Sequence, residues 1–177
     1  MISGKDLDGD GINDLILGEP HHLLGTTEYG GITIVSGADL HGLGRNLVDG
    51  NFVRDDAFHT YETFPNTITY NPNVPNTEYG AAIAFLEDGN NLRVAVGAPQ
   101  ALDGIGAVYV MSLNSGAWEV DMILAGESLS PNSEFGSAVT TGHVNGNPTL
   151  AIGGRSADGV GVDNGAVFTW TQNGGLQ

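Results

Sequence analysis

Cysteine is absent from the 177 residues, so the chain has neither a disulfide framework nor thiol chemistry to offer. Basic residues are almost as scarce. Five Lys and Arg stand against 21 Asp and Glu, Lys5 is the sole lysine, and the formal net charge is −16. A chain with no basic patch cannot neutralise a phosphate backbone, which excludes nucleic-acid binding. The same acidity opposes attraction to anionic membranes and suits a saline extracellular setting. No apolar run reaches transmembrane length, and Met1-Ile2-Ser3-Gly4-Lys5 has no signal-peptide core, so direct membrane insertion is not expected. Catalytic motifs are missing too. There is no HExxH and no P-loop lysine, and Gly154-Arg155-Ser156-Ala157-Asp158 fails the nucleophile-elbow pattern at its last position. His21 and His22 are adjacent and would point opposite ways in an extended segment, which reads as a surface pair rather than a metal site.

What the chain does have begins at Asp6-Leu7-Asp8-Gly9-Asp10-Gly11-Ile12-Asn13-Asp14. Carboxylates at loop positions 1, 3, 5 and 9, with glycine at 6, fit the oxygen-rich coordination that Ca²⁺ demands. Asp6, Asp8, Asp10 and Asp14 would supply side-chain oxygens, and Ile12 its backbone carbonyl. Position 12 of an EF-hand requires a ligating Glu or Asp followed by a helix. Here it is Leu17, inside Leu15-Ile16-Leu17-Gly18-Glu19-Pro20, a short apolar run stopped by Gly and Pro. The loop therefore feeds a strand. The competing reading is an acidic turn with no ion.

The strand and its stop recur as Val94-Ala95-Val96-Gly97-Ala98-Pro99 and Leu150-Ala151-Ile152-Gly153-Gly154-Arg155. Each is followed by a second run: Gly31-Ile32-Thr33-Ile34-Val35, Gly106-Ala107-Val108-Tyr109-Val110 and Gly165-Ala166-Val167-Phe168-Thr169. Tyr79-Gly80 and Phe135-Gly136 precede two of the three. Gly97 to Gly153 and Tyr79 to Phe135 are both 56 positions apart, whereas Gly18 to Gly97 is 79, which places an insertion near 41–76. Several short strands repeating at such a period predict propeller blades. In the middle unit, strands are expected near Ala82–Leu86, Leu92–Gly97, Gly106–Leu113 and Ala117–Leu124. Their runs are apolar rather than alternating, as in a sheet covered on both faces. No segment carries sustained helical periodicity, so the fold class is all-β.

With these three elements in order, the chain resembles the FG-GAP repeat family, which forms the N-terminal β-propeller of integrin α-subunits. Phe135-Gly136 and Tyr79-Gly80 correspond to the "FG", and Gly97-Ala98-Pro99 to the "GAP", with Gly18-Glu19-Pro20 a near match. The resemblance implies four-stranded antiparallel blades at about 1–62 (including the insertion), 79–124 and 135–177. It places the calcium loop between a blade's first two strands. The other two loops, Phe85-Leu86-Glu87-Asp88-Gly89-Asn90-Asn91-Leu92-Arg93 and Gly142-His143-Val144-Asn145-Gly146-Asn147-Pro148-Thr149, are eroded and expected to be plain turns, leaving one calcium site. The inner strand of the first blade and the outer strand of the third are expected to be missing. An incomplete propeller would need its remaining blades from a longer chain or another copy.

Functionally, the resemblance implies a calcium-stabilised module for extracellular or cell-surface adhesion or protein–protein interaction, with a protein or glycan ligand and no catalysis of its own. The alternative is the non-catalytic propeller of a larger secreted hydrolase or lyase, such as a phospholipase D acting on glycosylphosphatidylinositol. Loops after the "GAP" segments, at 20–30, 99–105 and 155–164, would share the face that carries ligand recognition in integrins. Arg155, Asp158 and Asp163 are its exposed polar candidates, against the plainer reading that they only solubilise the loops.

Overall fold

The computed structural model describes residues 2–7, 11–24, 26–35, 37, 75–88, 91–114, 117–126, 129–158, 164–172 and 174–177. The insertion expected near 41–76, and with it the expected end of the first unit at 62, lies almost wholly outside these residues. Thirteen β-strands form among the described residues. β1 (Ile2–Lys5), β2 (Asp14–Glu19) and β5 (Gly31–Val35) make one antiparallel sheet. A small ribbon of β3 (Leu23–Leu24) and β4 (Thr27–Glu28) spans the β2–β5 connection.

The second sheet runs β6 (Ala82–Asp88), β7 (Asn91–Ala98), β8 (Ala107–Asn114) and β9 (Ala117–Ala125). The third runs β10 (Phe135–Val144), β11 (Asn147–Gly154), β12 (Ala166–Thr171) and β13 (Gly175–Leu176). Within each sheet the pairings are antiparallel and follow chain order, with β2 pairing β5 across the small ribbon, the up-and-down order of a propeller blade.

Two expectations are corrected. The inner strand of the first blade is present, since β1 pairs with β2 through Ile2–Ile16 and Ser3–Leu15. The third blade also has a short outer strand, with Trp170 opposite Leu176 and reciprocal backbone hydrogen bonds between Thr169 and Gln177 at 3.0 and 2.8 Å. Neither segment has an apolar run to advertise it. Ile2-Ser3-Gly4-Lys5 and Gly174-Gly175-Leu176 are held by backbone pairing, which no side-chain pattern reports.

The middle sheet separates two cores. Val94, Val96, Ala98, Tyr109 and Met111 face the first blade's Ile16, Ile32 and Ile34, and Leu7 from its loop. Ala95, Val108 and Val110 face the third blade's Phe135, Leu150, Ile152 and Trp170. Both faces of β7 are thus buried, which is why its sequence is a continuous apolar run.

Glycine sets how closely the blades approach. A Cβ on Gly97 would stand 2.0 Å from the carbonyl oxygen of Gly136, and one on Gly18 would stand 2.0 Å from that of Gly80. The incoming glycines are equally constrained. Gly80 and Gly136 have φ of 98° and 92°, and a Cβ there would lie 2.2 and 2.5 Å from the carbonyls of Gly31 and Ala107.

The neighbouring aromatics, Tyr79 and Phe135, are wholly buried. Each packs edge-to-face on the third strand of its own blade: Tyr79 on Tyr109 at 5.5 Å, Phe135 on Phe168 at 5.3 Å. Each also makes a parallel bridge to the blade before it, Gly30–Tyr79 and Gly106–Phe135.

Gly97→Ala is expected to lower unfolding stability by about 2–4 kcal/mol, because backbone rather than a flexible side chain occupies the added volume. Gly142→Ala, where nothing lies within 4 Å, should stay within about 0.5 kcal/mol. Chemical denaturation of both variants checks the contrast.

Candidate functional site

At the end of the blades where β1 turns into β2, the three units diverge. Lys5 pairs with Asp14, so residues 6–13 form the connection in the first blade. In the second, Asp88 pairs with Asn91, and in the third Val144 pairs with Asn147. Each of those leaves a two-residue turn. Asn145 and Gly146 both have positive φ, 51° and 78°, which is the type I′ geometry of a tight hairpin. The third-blade loop is therefore a plain turn, as its sequence implied. The first blade carries six extra residues where its siblings need none.

Asp14 anchors this connection. It is fully buried, and its two carboxylate oxygens accept backbone N–H bonds from different directions. Leu7 donates to Oδ2 at 2.6 Å and Gly37 donates to Oδ1 at 2.8 Å. At the other end Asp6 accepts from the Gly11 N–H at 2.8 Å, curling the loop back on itself. Gly11 has φ of 88°, the sharp turn expected of loop position 6. Ile12 is exposed, whereas Leu7 is tucked into the first core. Asp8 and Asp10, the other two expected ligands, lie outside the described residues.

Strand register also identifies the counterparts of Asp14. Counting back from Gly18, Gly97 and Gly153, they are Arg93 and Thr149. Thr149 is buried, and its hydroxyl donates to the Asn147 carbonyl at 3.0 Å. Arg93 pairs through Nε with Asp121 at 3.3 Å, and its Nη1 is buried without a hydrogen-bond partner. Only the first blade keeps a carboxylate at this place. Oδ2 of Asp6 and both oxygens of Asp14 each accept one backbone N–H, and a carboxylate oxygen has a second lone pair, so these bonds alone do not preclude a hard cation. Among the described residues alone, no group of three or more metal-ligating side chains comes together.

The opposite end holds the loops that follow the "GAP" segments. His21 meets Glu28, and His22 Nδ1 lies 2.8 Å from Glu19, so the two histidines take separate carboxylates and form no common site. Asp158 accepts from the Ser130 hydroxyl at 2.9 Å. Arg155 is no lone cation: its Nε and Nη2 donate to the two oxygens of Glu134 at 2.5 and 2.8 Å. Gln100, from the preceding blade, adds a donor to Glu134 at 3.3 Å. The Arg155 bonds hold the Glu134 carboxyl below its ordinary value, against the opposing effect of partial burial. Asp163 lies outside the described residues.

A motif that sequence reading missed underlies this face. Asn76-Thr77-Glu78-Tyr79-Gly80 matches Asn132-Ser133-Glu134-Phe135-Gly136 in sequence and backbone. Asn76 and Asn132 have φ of 60° and 64°; Glu78 and Glu134 have 53° and 54°. Two left-handed non-glycine residues flank a buried hydroxyl residue, Thr77 or Ser133. The carbonyls of those two residues accept the backbone N–H of Gln100 and Ser156, at 3.1 and 3.3 Å. The signal was legible as the repeated Asn-(Thr/Ser)-Glu before each aromatic-glycine pair.

Fold and site together define an array of consecutive β-propeller blades with one divergent acidic loop. Against known proteins, the chain is 37% identical over 116 residues, 62% of its length, to the integrin alpha ina-1 of Caenorhabditis elegans. It covers 9% of that protein's length. No protein-family model matches the chain. The similarity supports an integrin-like, FG-GAP-type region.

Glu134→Gln should remove an acid-sensitive part of stability. A carboxyl depressed on folding stabilises at pH above its unfolded value, and that stabilisation is lost as pH falls through the lower folded value. The wild-type advantage over Glu134→Gln is therefore expected at neutral pH and should shrink below the ordinary value of 4.5. Denaturant midpoints measured down to about pH 3 test it. Asp14→Ala, which strands two buried N–H donors, should cost about 2–4 kcal/mol even in chelator. Urea unfolding in EDTA is the check.

Proposed function

We propose that this chain is a calcium-stabilised FG-GAP-type propeller module that recognises a protein or glycan outside the cell or at its surface, without catalysis of its own. The observation that carries the reading is the 37% identity over 116 residues with an integrin alpha subunit, laid over sheets of blade-like architecture. The eight-residue acidic connection at 6–13, where sibling blades use two-residue turns, supports the calcium part. A hairpin has no use for the additional carboxylates, whose mutual repulsion an ion would relieve. Asp6, Asp8, Asp10 and Asp14 would hold Ca²⁺ together with the Ile12 carbonyl. The ion supplies charge neutralisation and fixes the loop, while Asp14 ties that loop to Leu7 and Gly37 whether or not it also ligates.

Calcium would then be structural, and recognition would fall to the opposite, loop-bearing face. That face carries polar side chains on a backbone stitched from blade to blade. Strong net acidity favours cationic or calcium-bridged ligands and keeps the module off anionic membranes.

Thermal unfolding in millimolar Ca²⁺ and in chelator tests the ion. A site about 99% saturated adds roughly 2.7 kcal/mol, which should raise the midpoint by about 5–10 °C. Asp10→Ala should abolish that rise, while Asp88→Ala and Asn145→Ala keep it. An unchanged calcium response in Asp10→Ala would defeat the assignment. For recognition, capture on an array of purified extracellular proteins and glycans should be selective and should fall with chelator. Uniform absence of capture across the array counts against the adhesion reading.

A further inference from the structure

Two departures of the first blade from the repeat meet at one point. One is the long connection at 6–13. The other is the early end of its third strand. Counting from Gly18 and Gly97, Val35 is the counterpart of Met111. In the second blade β8 continues past Met111 to Asn114 and pairs Leu113 with Trp118 of the outer strand. In the first blade β5 stops at Val35. Gly37, which stands where the second blade has Leu113, is buried against the acidic connection instead. Its N–H donates to Asp14 Oδ1 at 2.8 Å, across 23 positions of chain. A Cβ on Gly37 would lie 2.2 Å from the Asn13 carbonyl oxygen and 2.7 Å from Ile12 Cγ2. Only glycine fits this seat.

We infer that Gly37 is a positioning residue for the acidic connection: it sets the orientation of the Asp14 carboxylate, and the calcium affinity of the loop depends on it. The inference rests on the calcium reading proposed above. A carboxylate turns about its single bond unless both oxygens are held. Here Leu7, inside the connection, holds Oδ2 at 2.6 Å, and Gly37, from beyond β5, holds Oδ1. Two donors from separate segments fix the plane of the group. An acid oriented in advance loses little rotamer freedom when an ion arrives, which is how outer partners of metal ligands raise affinity. Without the Gly37 bond, Asp14 hangs on Leu7 alone. A methyl group at 37 also pushes on the Asn13 carbonyl, and so on the backbone that carries Ile12 and Asp14. Two expected ligands would shift together. The residue that tunes the loop thus lies outside it, where no spacing of carboxylates points.

The test measures Ca²⁺ affinity by competition with a fluorescent chelator, on the full chain and two variants, well below their unfolding midpoints. Gly37→Ala is expected to bind Ca²⁺ at least about tenfold more weakly than wild type. Gly97→Ala, destabilised at the far end of β7, should keep the wild-type affinity, which separates positioning from general loosening. The wild-type Gly37 amide decides the matter if Gly37→Ala folds poorly. Its hydrogen exchange should be slowed in chelator, and its NMR resonance should move with added Ca²⁺ together with that of Gly11. Equal affinity of Gly37→Ala and wild type overturns the inference. So does an equal loss of affinity in Gly97→Ala, or a Gly37 amide that exchanges freely in chelator or ignores Ca²⁺. Each of these leaves the calcium reading standing. A wild type that binds no Ca²⁺ removes that reading, and the inference with it.

Discussion

Everything in this molecule depends on a van der Waals exclusion: a carbonyl oxygen lies where a side chain's first carbon would have to be. At each junction between blades, Gly18 or Gly97 gives up its Cβ position to the peptide oxygen of Gly80 or Gly136. The incoming glycine gives up its own to Gly31 or Ala107. This mutual approach draws the neighbouring aromatic to full burial and lets it bridge to the preceding blade. A buried aromatic contributes about 2–3 kcal/mol of apolar burial, so the glycines convert a small geometric allowance into buried contact between sheets. The cores on either side of β7 follow from it.

The acidic end of the first blade obeys a different logic. There the backbone is held by charge-assisted hydrogen bonds rather than by close packing. Asp14 gathers two N–H groups 30 positions apart in the chain, one from Leu7 and one from Gly37. Such bonds to an ionised acceptor are roughly twice as strong as neutral ones. The sibling positions, Arg93 and Thr149, meet other partners. Equivalent strand positions thus carry three unrelated side chains, and the carboxylate goes with the one long connection.

Much of this organisation was readable before the structure. β7 and β8 advertise themselves as Val94–Ala98 and Ala107–Met111, because both their faces are buried and apolar runs result. The repeat was visible because the same glycines are forced by the same carbonyls. The edge strands β1 and β13 were hidden, since their pairing resides in backbone groups. Left-handed φ at Glu78 and Glu134 was also invisible, because nothing in a glutamate's chemistry signals that conformation. On the loop face, Arg155 was legible as a charged residue but not as a partner of Glu134, which lies 21 positions earlier and in a different connection. In the acidic loop, residue type and spacing singled out Asp14, and the structure gives it the role of a clasp between Leu7 and Gly37.

The aromatic-glycine pair has a consequence for modularity. Tyr79-Gly80 lies just before β6 and Phe135-Gly136 opens β10, yet each is wedged into the sheet before it. The hydrogen-bonded sheet and the unit of cohesion are therefore out of phase along the chain. A cut made at the sheet boundary, in the linker around residue 126, would take the wedge from one blade and leave the next with an unsupported arm. A cut just after Gly136 keeps each wedge with the surface it seals. Transplanting or duplicating blades should then succeed only in the second frame, so the natural cassette runs from behind one glycine to the next.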